Sequence, residues 1–210
     1  ADFVAIGFGL VASPIEEDRE QMVSEVRAAG LGRDAEALVG RLSDATSKLL
    51  LSGFAEGYTE LDAVRAEMAG QPWAAKIAGE YSGAIARMPN DNLRRVGRAR
   101  FDNLELIWNY DALAALKKLD APLLWVLAGE DREAPIETTR AALLGLAKSG
   151  KPVDVYLFPQ TDHGMWEFTT DASGERQITR ITDGYLKLLG DWIKHDVRGT
   201  YGRAERLTPR

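Results

Sequence analysis

Cysteine is absent from the 210 residues, and histidine occurs only twice, at His163 and His195. The first absence excludes disulfides, thiol nucleophiles and thiolate metal sites together. The second excludes a histidine-rich metal site. Basic residues are in the minority, with 26 Lys and Arg against 32 Asp and Glu and a formal net charge of −6. That balance argues against a general electrostatic grip on nucleic acid or an anionic membrane, both of which need a basic surface. Long apolar runs are missing too: residues 3–12 and 123–128 fall far short of the roughly 20 that a membrane helix needs. No basic segment leads into an apolar core at the N-terminus, so no signal peptide is read there. Without cysteine the compartment stays open, since either redox environment suits such a chain. What remains for chemistry is carboxylates, hydroxyls and at most two imidazoles.

The hydrophobic content of 45% and charged content of 28% are those of a folded globular chain long enough to bury a core. After Ala1 the chain enters a strand-like run almost at once, Phe3-Val4-Ala5-Ile6-Gly7-Phe8-Gly9, an opening that suggests a piece cut from something longer. Ser13-Pro14-Ile15-Glu16 is a strong helix start: a capping serine, proline at the first helical position and a glutamate three residues on. Ile15, Met22, Val26 and Ala29 then recur at helical spacing, and Leu38, Leu42, Ala45 and Leu49 do so in a second helix opened by Asp34. A third helix is expected from Thr59 to Gly70 and a fourth from Pro72 to the break at Pro89.

The texture changes after Asp120-Ala121-Pro122. Leu123–Ala128 is a continuous apolar run, as expected of a parallel strand covered on both faces. A loop, a helix ending at Gly150 and a second strand over Val153–Phe158 follow. Residues 160–174 read as a polar loop, and a last amphipathic helix carries Ile178, Ile181, Tyr185, Leu188, Leu189, Trp192 and Ile193. The fold class is therefore α/β: a small parallel sheet of about three strands with flanking helices and a helical insertion. The expected divisions are a core strand over 1–12, the helical segment 13–110, a second core part over 111–197 and a polar, frayed tail over 198–210.

Two parallel strands joined by a crossover helix end on the same edge of their sheet, where open α/β folds bind ligands. Asp131 lies just past the first of these strands and His163 just past the second, 163 − 131 = 32 residues apart. One βαβ unit takes about 30 residues, so a carboxylate and an imidazole come to one edge. An aspartate accepting from Nδ1–H fixes the tautomer and leaves Nε2 to act as general base toward a hydroxyl. Glu130 and Glu133 are the runners-up as the acid. Asp162 is disfavoured because adjacent residues rarely aim at one target.

The runs Pro122-Leu-Leu-Trp-Val-Leu-Ala-Gly129-Glu-Asp131-Arg-Glu-Ala-Pro135 and Val153-Asp-Val-Tyr-Leu-Phe-Pro159-Gln-Thr-Asp-His163-Gly164 resemble the late strands of the alpha/beta-hydrolase superfamily. There the catalytic aspartate follows the penultimate strand, and the catalytic histidine precedes a glycine after the last one. The strand passing into Ser13-Pro14 resembles the exit to a helical lid, and the run from Asn109 to Pro122 resembles the return from it. The resemblance spans the whole chain but only the C-terminal part of that fold. It implies a serine hydrolase of ester, thioester or amide that needs no metal or organic cofactor, with Asp131 and His163 as two members of a Ser-His-Asp triad, and a small acyl ester or amide as substrate. Trp108 and Trp166 are the preferred substrate-binding aromatics, with Trp73, Tyr81 and Tyr110 behind them.

The family's nucleophile turn, Gly-x-Ser-x-Gly, has no counterpart. Gly79-Glu-Tyr-Ser82-Gly83 has the wrong spacing and setting, and Ser13 reads as a helix cap. The nucleophile and oxyanion donors are then expected upstream of Ala1, and this chain alone is expected to be inactive. A second reading is a noncatalytic lid and assembly module. Its strand edge from Phe3 to Val11 would pair with the missing N-terminal part or, as a dimer, with a second copy. A third, with Thr161 or Thr169 as nucleophile, has no supporting motif. His195, near the end of the last helix, reads as a surface residue.

Overall fold

The computed structural model describes residues 2–134 and 136–209; Ala1 and Pro135, both named above, lie outside the described residues. The protein is α/β and divides into two compact units. One is continuous in sequence and runs from Ala12 to Asp111. The other joins the N-terminal stretch up to Val11 to everything from Ala112 onward.

The continuous unit is helical: α1 (Pro14–Ala28), α2 (Arg33–Leu51), α3 (Tyr58–Met68), α4 (Ser82–Arg87) and α5 (Asn90–Phe101). The capping box at the start of α1 is formed as expected. The Ser13 hydroxyl accepts from the Glu16 N–H, and the Glu16 carboxylate accepts from the Ser13 N–H. Met22 and Val26 of α1 meet Leu38, Leu42, Ala45 and Leu49 of α2 in one core, with Leu61, Ile85 and Leu93 from the later helices. The fourth helix expected from Pro72 is replaced by a single 3-10 turn, Ala74–Lys76, and the short α4. The break is at Gly79, whose backbone is left-handed (φ 54°) and lies so close to Asp18 that any Cβ would collide with it. Pro89 acts as the N-cap of α5.

The discontinuous unit is built on a sheet ordered β1 (Val4–Gly7), β2 (Leu123–Ala128), β3 (Val153–Phe158) and β7 (Glu205–Arg206). The first three run parallel, with Val4 opposite Leu123 and Leu123 opposite Val153. All six residues of β2 are buried, which explains its unbroken apolar run. The helices α6 (Ala112–Lys117) and α7 (Glu137–Lys148) complete the connections before and after β2. Leu123, Trp125 and Leu127 pack with Leu143 and Leu146 of α7 on one face of the sheet. Leu124, Val126 and Ala128 face Leu188 and Trp192 of α8 (Tyr185–Ile193) on the other.

Two expectations are corrected. The segment read as a polar loop running into a long helix forms a second, antiparallel sheet of β4 (Thr161–Asp162), β5 (Trp166–Thr170) and β6 (Arg176–Ile181). Its hairpin turn is held by Asp171, whose carboxylate accepts from the N–H groups of Ser173 and Glu175, with Gly174 left-handed at φ 86°. The tail does not fray either. β7 pairs antiparallel with β3, Tyr201 is buried, and Thr208 accepts from the Val155 N–H. β7 adds a fourth, antiparallel strand to the expected three, and β4, β5 and β6 form their own sheet.

Candidate active site

The C-terminal ends of β1, β2 and β3 lie on one sheet edge, and each delivers a side chain to the same place: Phe8, Asp131 and His163. His163 Nδ1 is 3.0 Å from Asp131 Oδ2 and 3.2 Å from Oδ1. The Asp131 side chain has no solvent exposure, whereas His163 keeps 31%. Asp131 Oδ1 also accepts from the N–H groups of Glu133 and Ala134, at 3.0 and 2.7 Å. Burial nevertheless dominates its environment and pushes the carboxyl above its ordinary value, against the opposing pull of Ala134 N–H and His163.

The imidazole is fixed from several sides. Its own backbone N–H donates to Asp162 Oδ1 at 2.9 Å. Gly164 and Met165 after it are both left-handed (φ 72° and 64°), and Met165 is fully buried and accepts from the Thr182 N–H. Phe8 meets the ring edge to face, with centroids 5.0 Å apart. Phe8 is itself left-handed, φ 45°, an unusual state for a bulky residue and one associated with functional sites. Nε2, the nitrogen turned away from Asp131, has Glu133 Oε2 at 3.6 Å.

The carboxylates named from the sequence take separate parts. Asp131 bonds the imidazole, and Glu133 stands at its opposite nitrogen. Glu130 pairs with Arg176 at 2.9 Å. Asp162 accepts from His163 N–H and Arg132 N–H and pairs with Arg176 at 2.6 Å. Burial raises the Asp162 carboxyl, but Arg176 and the two N–H donors outweigh it and hold the group below its usual range.

Among the hydroxyls, Thr161 is buried and donates to the Pro159 carbonyl. Ser82 is buried in the helical unit as the first residue of α4, its hydroxyl bonded to Asp18 and to Thr46 and its N–H donating to Asp18. Ser13 is committed to its cap. Thr169 lies exposed in β5. None of these hydroxyls is hydrogen-bonded to His163.

Trp166 opens β5 directly after the histidine turn. Its indole lies over Gly164, it pairs across the hairpin with Ile181, and 38% of it is exposed, so it is open to a ligand. Trp108, expected to bind substrate, is packed in the helical unit's core at 4% exposure. Its ring meets Tyr81 edge to face and its indole N–H donates to Asp102, so neither face nor donor is spare. Tyr81 has its phenol pushed up to about 12, chiefly by burial. Trp73 borders a cavity of about 480 Å³ with Leu31, Arg33 and Leu38, Tyr110 is half exposed, and His195 is exposed.

Two contributors escape sequence reasoning. Phe8 carries no motif, because a left-handed phenylalanine is invisible in one dimension. Arg176 lies in a strand whose residues resemble a helix; only the Asp-Ala-Ser-Gly turn before it marks the hairpin.

Among the described residues no group of three or more His, Asp or Glu is arranged to hold a metal ion, and no helix is long and apolar enough to cross a membrane. Compared with protein-family models, with curated proteins and with solved structures, the chain matches none.

Proposed function

We propose that this chain supplies the acid–base half of a serine hydrolase acting on an ester, thioester or amide, within a partial alpha/beta-hydrolase fold. In this reading a serine from another segment attacks the acyl carbon. His163 Nε2 takes the hydroxyl proton and passes it to the leaving alcohol, thiol or amine. A water then attacks the acyl-serine by the same route. Asp131 holds the Nδ1–H tautomer and stabilises the imidazolium. Trp166 offers an apolar surface beside the reacting centre.

One observation carries the reading: a fully buried carboxylate 3.0 Å from Nδ1 of a half-open histidine, at the ends of neighbouring parallel strands. The late-strand resemblance supports it. So does the position of β1 at the sheet edge, paired among the described residues only with β2. A further parallel strand there would end on the edge where His163 stands.

The same free edge favours a second reading, a noncatalytic module that associates through β1 with another segment or a second copy.

Intact mass and N-terminal sequencing of the natural product, with fluorophosphonate labelling, separate the two. The first reading expects the 210-residue chain to leave p-nitrophenyl esters at the buffer rate and to take no label. It expects a longer product, or a cleaved partner, that labels on serine and loses about 10⁴-fold in turnover on Asp131→Asn and about 10⁶-fold on His163→Ala. A natural product starting at Ala1, without a partner and without label, overturns it in favour of the second. His163-dependent turnover by the 210 residues alone places the nucleophile within them and overturns both.

A further inference from the structure

Neither Asp131 nor His163 sits in a long element. The first is in the loop after β2, and the second begins a 3-10 turn, His163–Met165. The bases of these two loops are joined by backbone bonds, from Gly129 N–H to the Phe158 carbonyl and from Glu130 N–H to the Thr161 carbonyl. Beyond the bases, and besides the Asp131–His163 contact itself, the Arg176 side chain spans them. Arg176 donates through Nη1 to the Glu130 carbonyl (2.7 Å) and to Asp162 Oδ2 (2.6 Å), and through Nη2 to Glu130 Oε2 (2.9 Å). Glu130 immediately precedes Asp131, and Asp162 immediately precedes His163. The second oxygen of Asp162 accepts from both Arg132 N–H and His163 N–H, so it touches both loops again. The guanidinium plane lies over the Phe168 ring, 3.9 Å from its centroid. Its Nε is buried without a partner, and the side chain is 12% exposed.

A buried ion network with an orphaned donor is a poor source of net stability. What it does supply is a fixed distance and angle between two loops. A planar fork can hold both at once, which a single ammonium cannot. We propose that Arg176 is a positioning residue that sets the register of the Asp131 loop against the His163 loop, and thereby the Nδ1–H tautomer of His163. The inference rests on the reading of Asp131 and His163 as an acid–base pair.

The test is two-bond ¹H–¹⁵N correlation of the imidazoles in the ¹⁵N-labelled chain at neutral pH, with exposed His195 as internal reference. In the wild type His163 is expected as a single Nδ1–H tautomer, and Asp131→Asn is expected to abolish that preference. Arg176→Met is expected to convert His163 to a mixture with the Nε2–H form, and Arg176→Lys to restore the Nδ1–H form in part, with the His195 signals unmoved in each variant. A folded Arg176→Met protein with a lowered melting temperature but an unchanged His163 tautomer overturns the inference and leaves the pair intact. If Arg176→Met does not fold, the lysine variant decides, and an unchanged tautomer there overturns the inference equally. A wild-type His163 with no tautomer preference, unaltered by Asp131→Asn, shows that the acid–base reading itself is what failed.

Discussion

Phe8 and His163 meet edge to face with ring centroids 5.0 Å apart, although Phe8 follows β1 and His163 follows β4, a strand of the other sheet. The contact depends on the left-handed backbone at Phe8, φ 45°. A side-chain-bearing residue in that conformation costs about 1–2 kcal/mol. Phe8→Ala and Phe8→Gly both remove the ring, but only glycine relieves the backbone. The glycine variant is therefore expected to be the more stable of the two by about 1 kcal/mol in urea unfolding. Identical midpoints for the two would mean that the ring is not held in place against strain.

Asp131 makes a prediction through the sign of its titration. Burial raises its folded pKa. Its contribution to folding is then fully present below the unfolded value of about 3.9 and is lost as pH rises through the folded value. An asparagine oxygen can still accept from Glu133 and Ala134 N–H without an ionised group to bury. Asp131→Asn should gain on the wild type between acid and neutral pH and be at least as stable at pH 7. Urea titrations at both ends of that range measure it, and a mutant that loses ground with rising pH contradicts it.

Asp162 carries the opposite sign. Arg176 and two backbone N–H groups outweigh its burial and lower its pKa. Its contribution is present above the unfolded value and is lost as pH falls through the folded one. Asp162→Asn is expected to cost about 1.5–3 kcal/mol at neutral pH, because it removes one of the two carboxylates paired with Arg176 and leaves only Glu130. The penalty should shrink in acid. A cost that does not change with pH would mean that packing, not charge, holds the group.

The C-terminal segment is structural. Ending the chain at Val197 removes buried Tyr201, whose hydroxyl donates to Asp191, together with the pairing of β7 on β3. The loss of Tyr201 alone is expected to cost on the order of 3 kcal/mol, a fall of roughly 6–12 °C in melting temperature for a chain of this size. Calorimetry of the truncated chain checks it, and an unchanged midpoint would restore the picture of a frayed tail.

The parallel strands were legible because a strand buried on both faces can hardly be anything but continuously apolar, and Leu123–Ala128 and Val153–Phe158 are nearly so. The first helix was legible from its cap. The hairpin was not, because Ile178, Ile181, Tyr185 and Leu188 continue one helical spacing across a strand, a left-handed Gly184 and a true helix. Any residue but glycine at 184 would strike the Tyr201 backbone, a contact no local pattern reveals. β7 is two charged residues long, too short for periodicity. At the site, the 32-residue spacing brought Asp131 and His163 to one sheet edge, and the late-strand resemblance singled them out from Glu130 and Glu133. Trp108 showed why an aromatic near a junction says little by itself: core and ligand surface favour the same side chain.

The pairing of β1 with β2 joins Val4 to Leu123, which is 123 − 4 = 119 positions later in the chain. During synthesis at about 5–20 residues per second, β1 therefore waits roughly 6–24 s for its neighbour. The helices from α1 to α5 are completed within that interval and need no residue outside their own stretch for their core. The helical unit is thus placed to fold first, while β1 stands at its N-terminal side still without β2. For those seconds the β2-facing edge of β1 stays unpaired, and an unpaired strand edge is where a nascent chain is open to wrong pairing.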